Sequence, residues 1–312
     1  MPKFRKEAYE PRSMQEVTRD DYFHFIKDHD SVSIEEVNVK LVKRWKIDAY
    51  QPKKFTPEEW TVWSFPDRGD WATHAGNYRG NWSPFIPRNL ILKFTKPGEL
   101  VCDPMMGSGT TLVECKLTQR DGIGVDINPN SVMVAMNRLD FHYQPLDEDF
   151  VTPKIKLFVG DARYLNEIPD ESVDLVSTHP PYAGIISYSK STVLGDLSSL
   201  NLKDFIDQIG VIAKECMRIL KPGRYCAILI GDTRKHKHYV PISVGVLNEF
   251  LDAGFVLKED IIKLQHNTLT ARNKWSGHTY DFYKIGHEHL YIFRKLDVDE
   301  KKSEFKNSVK WW

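Results

Sequence analysis

Residues 100–111, LVCDPMMGSGTT, decide the fold. A short apolar run ends in Asp103, a turn containing Gly107 and Gly109 follows, and Thr110 begins a helical pattern. Glycine lets backbone approach a ligand closely, and the amides at a helix start favour a carboxylate or a phosphate. The stretch therefore predicts a strand, a ligand-binding turn and a helix. The alternative is a tight strand-to-helix turn that binds nothing, which many α/β proteins contain.

The chain after residue 96 alternates short apolar runs with helical patterns, as in a parallel sheet built from strand–helix–strand units. Seven strands are predicted, at Glu99–Cys102, Gly122–Val125, Ile155–Val159, Val173–Ser177, Tyr225–Ile230, Val256–Lys263 and His289–Arg294. Helices are predicted between them at Gly109–Lys116, Asn130–Leu139, Asn201–Leu220 and Pro241–Leu251. The short connection between the last two strands favours antiparallel pairing. The predicted fold class is α/β, a doubly wound Rossmann-like sheet with an antiparallel last strand.

Residues 1–95 differ from the rest because they are aromatic-rich and irregular, and they are interpreted as an N-terminal appendage. Two segments there, Ser33-Ile34-Glu35-Glu36 and Thr56-Pro57-Glu58-Glu59, match a capping box. They predict helices that lead into residues 37–45 and 60–63. The α/β domain is expected to span residues 96–296. The charged tail, residues 297–312, is expected to form a peripheral helix or to be loosely ordered.

The composition limits the class of protein. Lys and Arg number 43, Asp and Glu number 43, and 41% of the residues are hydrophobic. No apolar run reaches the roughly 18 residues of a membrane span, and the charged N-terminus lacks a secretory signal. The four cysteines show no CxxC pair, so we expect buried thiols rather than a zinc site or disulfides. These features predict a soluble cytoplasmic protein with no membrane partner, in which any nucleic-acid-binding face is a local patch.

Two further acids follow predicted strands. Asp126 ends the second strand, about 20 residues after the glycine turn, where nucleotide-binding units place an acid that accepts ribose hydroxyls. Asp161 ends the third strand, where an adenine amino group would need an acceptor. Each acid could instead cap a helix or a turn. Three acids at successive strand ends favour a nucleoside-containing ligand, and the absence of GxGxxG and GxxxxGK[ST] disfavours a dinucleotide or a triphosphate.

The fourth strand is followed by His179-Pro180-Pro181-Tyr182. Two consecutive prolines hold the backbone extended and remove two amide donors, which leaves carbonyls free to accept hydrogen bonds from an amine. The adjacent Tyr182 offers a face on which a base can stack. The alternative interpretation is a rigid turn with a buried tyrosine.

These two motifs resemble those of the DNA amino-methyltransferases, a DPFxGSGTT-like loop and an (Asp/Asn/Ser)-Pro-Pro-(Tyr/Phe) loop. The resemblance spans about residues 70–295 and implies S-adenosylmethionine as cofactor, a base in double-stranded DNA as substrate, and a place in DNA methylation and restriction–modification. It implies that residues 82–94 form a helix that closes the methionine pocket. The cofactor-binding residues that it implies are Asp103, Pro104, Met105, Gly107, Ser108, Gly109, Thr110, Asp126, Ile127, Asp161 and Ala162.

Two positions depart from the family pattern. Met105-Met106 replaces an aromatic residue, and His179 replaces the Ser linked with N4 of cytosine or the Asp or Asn linked with N6 of adenine. Because Thr178 precedes it, the loop is similar to the Thr-Ser-Pro-Pro-Tyr form of cytosine enzymes, which favours N4 of cytosine over N6 of adenine. No cysteine follows a proline, so the nucleophile needed for methylation at carbon 5 is missing.

A target base must leave the duplex to reach such a pocket, so basic and aromatic loops are needed nearby. Residues 232–239 and 265–287 interleave both types, although a solvated loop face would look the same. The predicted DNA-binding residues are Arg234, Lys235, Lys237, Arg272, Lys274 and Trp275. Residues 70–82 are expected to close over the cofactor or the base. With no separate recognition domain, we expect a short site or a homodimer, associated with the nucleoid.

Two other functions remain open. One is an RNA methyltransferase that acts on a guanine amino group in transfer RNA, because that family has a similar Pro-Pro-Tyr loop. The other is a DNA-binding relative that has lost catalysis, which the unusual His179 suggests.

Overall fold

A nine-stranded sheet lies at the centre of the computed structural model, which describes residues 13–34, 37–145, 150–181, 193–266 and 281–309. The strands are β1 (Gln15–Val17), β2 (Ser31–Ile34), β3 (Val37–Lys40), β4 (Val62–Ser64), β5 (Leu100–Asp103), β6 (Asp121–Asp126), β7 (Ile155–Val159), β8 (Val173–Thr178), β9 (Leu220–Ile230), β10 (Thr233–Lys235), β11 (His238–Val240), β12 (Val256–Leu264) and β13 (His287–Arg294). The helices are α1 (Arg19–Asp28), α2 (Phe85–Phe94), α3 (Thr110–Leu117), α4 (Pro129–Leu139), α5 (Leu202–Ile219) and α6 (Ile242–Asp252).

The sheet has the strand order β1-β7-β6-β5-β8-β9-β13-β12-β4. Strands β5 to β9 pair in parallel, whereas β13 pairs antiparallel with both β9 and β12. The α/β class, the seven strands of the doubly wound sheet and the antiparallel last strand are therefore confirmed. The main difference is β9, which begins at Leu220 rather than at Tyr225.

The four predicted helices form within two residues of their expected limits, and local capping explains two of their starts. The side chain of Asn128 accepts a hydrogen bond from the Asn130 amide, and Pro129 occupies the first turn of α4. The side chain of Asn201 accepts one from the Asp204 amide at the start of α5. The helix expected upstream of the glycine turn is α2.

The two helices predicted from the capping boxes were wrong. Residues 37–40 form β3, which pairs with β2 in a hairpin, and the buried side chains of Val32 and Val39 pack against α4. Apolar and polar residues alternate in Val-Asn-Val-Lys, which is the period of a strand, and this pattern outweighed the helix-start signal. In the second segment the Glu58 amide donates to the Asn89 side chain at 2.7 Å, and β4 follows at Val62.

The N-terminal residues belong to the main sheet. Strand β1 pairs antiparallel with β7 at one edge, and β4 pairs in parallel with β12 at the other. The tail contains a 3-10 helix at Lys302–Ser308. Among the helices of the described ranges, none is both long and apolar enough to cross a membrane.

The core lies on both faces of the sheet. On one face α5 and α6 contribute Phe205, Ile209, Val246 and Phe250, all fully buried. On the other, α2 contributes Ile86, Leu90 and Ile91, together with Trp63 and Trp82 from the N-terminal region. The four cysteines are buried and unpaired, as predicted. This layered packing fixes the strand ends that carry the candidate site.

Candidate active site

The carboxyl ends of β5, β6, β7 and β8 meet at one edge of the sheet, which is where α/β sheets bind their ligands. The edge brings together Asp103, Asp126, Asp161 and His179, four residues that the sequence singled out. Two hydrogen bonds show how closely their strands are joined. The Gly107 amide donates to Asp126 Oδ2 at 2.9 Å, and Thr178 Oγ1 donates to Asp103 Oδ1 at 2.8 Å.

Asp103 is buried and ties the first motif to the fourth strand. Its Oδ1 accepts from the Met105 amide and from Thr178, and its Oδ2 accepts from Thr111 Oγ1 at 2.5 Å. Burial raises the pKa of the Asp103 carboxyl to about 6, although these three hydrogen bonds oppose the rise. The residue thus holds the glycine turn against β8 and keeps the two motifs in register.

Asp126 keeps part of its surface exposed at the end of β6. Oδ2 accepts from the Gly107 amide and Oδ1 from the Asn128 amide at 2.8 Å. Burial raises the pKa of this carboxyl to about 7, and the negative charges of Asp196 and Asp103 add to the rise. Each oxygen has a second lone pair, so the carboxylate fits a group that presents two neighbouring hydroxyls.

The two glycines of the turn make close contacts within the protein. Gly107 has φ +51° and Gly109 has φ +78°. A Cβ on Gly109 would lie 2.8 Å from the Ala135 Cβ on α4, and a Cβ on Gly107 would lie 3.3 Å from the Tyr78 ring. Packing against α4 therefore requires a glycine at 109, whereas Gly107 is favoured by its positive φ and by its close contact with Tyr78, and the sequence revealed neither contact.

Exposure divides the predicted cofactor-binding residues into two groups. Met105, Gly107, Asp126 and Ile127 remain partly exposed and form the accessible surface of the turn. The buried group consists of Asp103, Pro104, Ser108, Gly109, Thr110, Asp161 and Ala162. The buried side chains contact other parts of the protein, so any contact with a small molecule would fall mainly to the first group and to backbone amides.

Residues 71–82, which we call the cover segment, lie against the glycine turn. Arg138 donates to Ser108 Oγ at 2.6 Å and to Asn77 Oδ1 at 2.9 Å, and Thr110 Oγ1 donates to Asn81 Oδ1 at 2.5 Å. The two polar side chains of the turn thus hold the cover segment in place. The sequence indicated that this segment closes over the site, but it gave no hint of Arg138.

A buried carboxylate anchors the other end of the cover segment. Glu114 Oε1 accepts from Trp71 Nε1 at 2.8 Å and from His74 Nε2 at 2.7 Å, while Oε2 accepts from Arg88 Nη1 at 2.8 Å. Burial lowers the pKa of His74, although Glu114 opposes that effect. The sequence signal that could have revealed this cluster was Glu114 itself, which lies among the apolar residues Leu112, Val113 and Cys115. A glutamate buried among such residues needs partners for its charge.

Asp161 is buried and paired with Arg163. Asp161 Oδ1 accepts from Arg163 Nε at 2.8 Å, and Oδ2 accepts from Arg163 Nη2 at 2.6 Å. Arg163 also donates to the Gly195 carbonyl at 2.7 Å and to Gln208 of α5 at 2.9 Å. Arg163 was missed at the sequence level because its partners are distant in the chain. It joins the end of β7 to the segment that leads into α5.

His179 stacks on Trp82, with ring centroids 5.8 Å apart and an interplanar angle of 22°. A hydrogen bond with the Gly80 backbone also holds it. Burial lowers the pKa of His179, so the imidazole is neutral near pH 7. Nearby, Lys263 and Glu288 form an ion pair at 2.7 Å, and their charges act on His179 in opposite directions. Pro180 is buried and Pro181 is half-buried, whereas Tyr182 lies outside the described residues.

Strands β10 and β11 form a small antiparallel pair, the basic hairpin, residues 233–240. Lys235 and Lys237 are exposed, and their contact with DNA stays a prediction. Arg234 is half-buried, and it contacts the Phe282 ring and donates to two backbone carbonyls. The other predicted DNA-binding residues, Arg272, Lys274 and Trp275, lie outside the described residues.

Comparison with known proteins shows which family and which proteins this chain is similar to. A family model described as DNA methylase matches residues 4–137 and 173–310. The Type II methyltransferase M.Cfr9I of Citrobacter freundii is 38% identical over 79 residues, which are 25% of each chain. The tRNA (guanine(10)-N2)-dimethyltransferase of Methanothermobacter thermautotrophicus is 28% identical over 194 residues, covering 62% of this chain and 48% of the relative.

Among solved structures, a SAM-dependent methyltransferase of Methanosarcina mazei aligns with a TM-score of 0.45 at 14% identity. The alignment covers 67% of this chain and 97% of that one. This chain spans about half or less of the length of the curated relatives described above.

Proposed function

The chain belongs to the DNA methylase family, and from this premise we propose that it transfers a methyl group from S-adenosylmethionine to an exocyclic amino nitrogen of a base in DNA. One observation supports this above the others. The 2.8 Å hydrogen bond from Thr178 to Asp103 joins the glycine-turn motif to the strand that carries His179, Pro180 and Pro181. A group bound at the turn and a base at the Pro-Pro loop would therefore meet at one edge of the sheet.

Members of this family use S-adenosylmethionine, which when bound supplies an electrophilic methyl group on a sulfonium. The residues at the edge suit such a molecule. Asp126 has a free lone pair on each oxygen for the two ribose hydroxyls. The partly exposed Met105 and Ile127 offer apolar contacts beside it. Asp161, with its charge balanced by Arg163, is proposed to accept from the adenine amino group.

The residues around the target amine have two tasks. They must orient its lone pair toward the methyl group, and they must stabilise the positive charge that develops as the nitrogen gains a carbon and later loses a proton. A neutral His179 can accept one N–H of the amine, and the Pro180 carbonyl can accept the other. Because the imidazole of His179 stacks on the Trp82 ring, its orientation is fixed before any substrate binds.

We propose that the base is cytosine, methylated at N4, in preference to adenine at N6. The support is the Thr178-His179-Pro180-Pro181 sequence, which is similar to that of cytosine enzymes. The base is proposed to leave the helix stack and to lie against Tyr182, which the sequence places next to the prolines.

Methylation of a guanine amino group in RNA is a second candidate. The observation that favours it is the similarity to the transfer-RNA dimethyltransferase, which extends over 62% of this chain. Methyl transfer from labelled S-adenosylmethionine to duplex DNA and, in parallel, to transfer RNA separates the two candidates. Transfer to RNA alone would contradict the first proposal.

Mass spectrometry of nucleosides from methylated DNA tests the proposed atom directly. We expect N4-methylcytosine, and we expect His179→Ala to lower turnover more than DNA affinity. His142→Ala, on an exposed histidine elsewhere, is the matched control. A methyl group on carbon 5, or full activity in His179→Ala, would contradict the proposed role of the Pro-Pro loop.

A further inference from the structure

Tyr283 is an aromatic residue whose surface is 93% exposed, beside the basic hairpin. A single exposed aromatic ring is common on protein surfaces and needs no explanation by itself, but an exposed ring whose backbone is held beside exposed cations can present its face to a ligand. The residues around it show that its backbone is fixed although its side chain is not covered.

Arg234 supplies that fixation. Its Nη2 donates to the Tyr283 carbonyl at 2.6 Å, and its Nη1 donates to the Lys237 carbonyl at 3.2 Å. The guanidinium also lies over the Phe282 ring, 4.7 Å from the centroid, and 5.7 Å from that of Tyr239. One arginine thus connects the hairpin turn to the segment that carries Tyr283.

Charge on this surface favours an anionic partner. Lys235, Lys237 and Lys284 are exposed, and so are the two hairpin histidines. Two acids lie near them: Asp281, whose carboxylate is 3.9 Å from the Lys237 ammonium, and the buried carboxylate of Asp232, which accepts from the Tyr239 hydroxyl and from Ser243. Exposed cations beside an exposed aromatic are the combination that binds a phosphate backbone and a base face together.

The register of the sheet places this surface at the same edge as His179. Thr178 of β8 lies opposite Ile228 of β9, and β9 ends two residues later at Ile230. The hairpin begins at Thr233, and His289 of β13 lies opposite Ile230. A nucleic acid bound at the Pro-Pro loop would therefore extend toward the hairpin and Tyr283.

We propose that Tyr283 stacks on a base of the bound DNA, and that Arg234 is a positioning residue that holds Tyr283 on the basic surface rather than a phosphate contact. The proposal rests on the proposed function only in taking DNA as the substrate. It changes the role predicted for Arg234 from the sequence, and it separates base contact, made by Tyr283, from phosphate contact, made by Lys235 and Lys237.

Two labelled oligonucleotides of equal length test this separation by fluorescence anisotropy on the full chain. One is a 20-nucleotide oligo-dT, and the other has the same backbone with abasic tetrahydrofuran sites at every position. Tyr283→Ala should weaken binding to oligo-dT about 5- to 150-fold, the range of one stacked base, and leave binding to the abasic strand unchanged. Tyr283→Trp should bind oligo-dT at least as well as the wild-type protein.

The Lys235→Ala/Lys237→Ala protein should lose affinity for both strands equally. Arg234→Lys keeps the charge but loses the fork that holds two carbonyls, so it should behave like Tyr283→Ala. Equal loss on both strands in Tyr283→Ala, or no loss on oligo-dT, would overturn the proposal. Methyl transfer to duplex DNA is measured separately, so absence of transfer with base-dependent binding would contradict the proposed function and leave the stacking intact.

Discussion

The glycine turn and the basic hairpin lie at the same edge of the sheet, but they are held in different ways. Around the turn and the cover segment that lies against it, the buried charged groups Asp103, Glu114 and Arg138 each have several partners. At the hairpin the lysines are exposed, and one arginine fixes the local backbone. A buried charge must be compensated or it destabilises the fold, whereas an exposed charge is solvated by water. We therefore expect substitutions at the turn to affect stability and cofactor affinity, and substitutions at the hairpin to affect DNA binding alone.

The largest effect is expected for Glu114→Ala. Removing this carboxylate leaves Arg88 buried without its carboxylate partner and breaks the hydrogen bonds to Trp71 and His74. The free energy of unfolding should therefore fall by about 3–5 kcal/mol. Urea denaturation measures the change. Asp207→Ala, which breaks the exposed pair with Lys203 on α5, is the control and should leave the stability nearly unchanged, because exposed ion pairs are screened by solvent. Similar losses in both variants would show that burial does not distinguish these ion pairs.

Asp126→Ala should weaken cofactor binding by about 1.5–3 kcal/mol, because hydrogen bonds to a charged group are lost. Isothermal titration calorimetry with S-adenosylhomocysteine gives this value. Asp121→Ala is the control, since Asp121 begins the same strand and its carboxylate accepts from the Lys154 amide. An unchanged affinity in folded Asp126→Ala would remove Asp126 from the ribose site.

Gly109→Ala and Gly98→Ala form a matched pair because the two glycines have nearly equal φ angles, +78° and +80°. A Cβ at Gly98 meets nothing within 4 Å, whereas one at Gly109 lies 2.8 Å from the Ala135 Cβ. Both variants place an alanine at a positive φ, so this destabilisation is common to the two. Gly109→Ala should lose about 1–2 kcal/mol more stability than Gly98→Ala, and this difference measures the clash with α4. Thermal unfolding of the two proteins provides the comparison, and equal losses would refute the contact.

The affinity for S-adenosylhomocysteine should fall as the pH drops through about 7. Burial raises the pKa of Asp126 to about 7, so its carboxyl is mostly ionised at pH 8 and mostly protonated at pH 6. Since the ionised form is the better acceptor for ribose hydroxyls, affinity should fall about tenfold between these two pH values. Titrations of the wild-type protein and Asp126→Asn test this. The variant should bind weakly at both pH values, and a retained pH dependence would point to another group.

The smallest effect is expected at the hairpin. Lys235→Ala/Lys237→Ala should leave stability unchanged, weaken binding to all duplex sequences, and reduce the slope of log affinity against log salt by about 2. Fluorescence anisotropy over a salt series measures the slope. The matched control is Lys301→Ala/Lys302→Ala, on two exposed lysines of the tail. An unaltered slope in the hairpin variant would place the phosphate contacts elsewhere.

The sequence was sufficient where signals were local. Strands β5 to β8 are short, mostly apolar runs ended or followed by acids or by His-Pro-Pro, and Asn128 and Asn201 mark the helix starts. Prediction failed where contacts between segments far apart in the chain decided the local structure or the partners of a side chain. The three residues of β4, Val62, Trp63 and Ser64, are too few to predict a strand from sequence, and their pairing with β12 decides their conformation. Arg138 and Arg163 were missed for the same reason, since each connects segments that are far apart in the chain.

The two short N-terminal strands have a consequence for solubility. An open sheet edge presents unpaired amides and carbonyls to which other chains can add, and this is a common route to aggregation. Strand β1 pairs with Leu157, Phe158 and Val159 on the free side of β7, and β4 pairs with the last three residues of β12, Ile262, Lys263 and Leu264. Each is only three residues long, so the outermost edge offers little room for a further strand. A protein shortened to begin at residue 96 would leave both ends of the sheet open to such additions, and it would also lose α2 and the core side chains that α2 contributes.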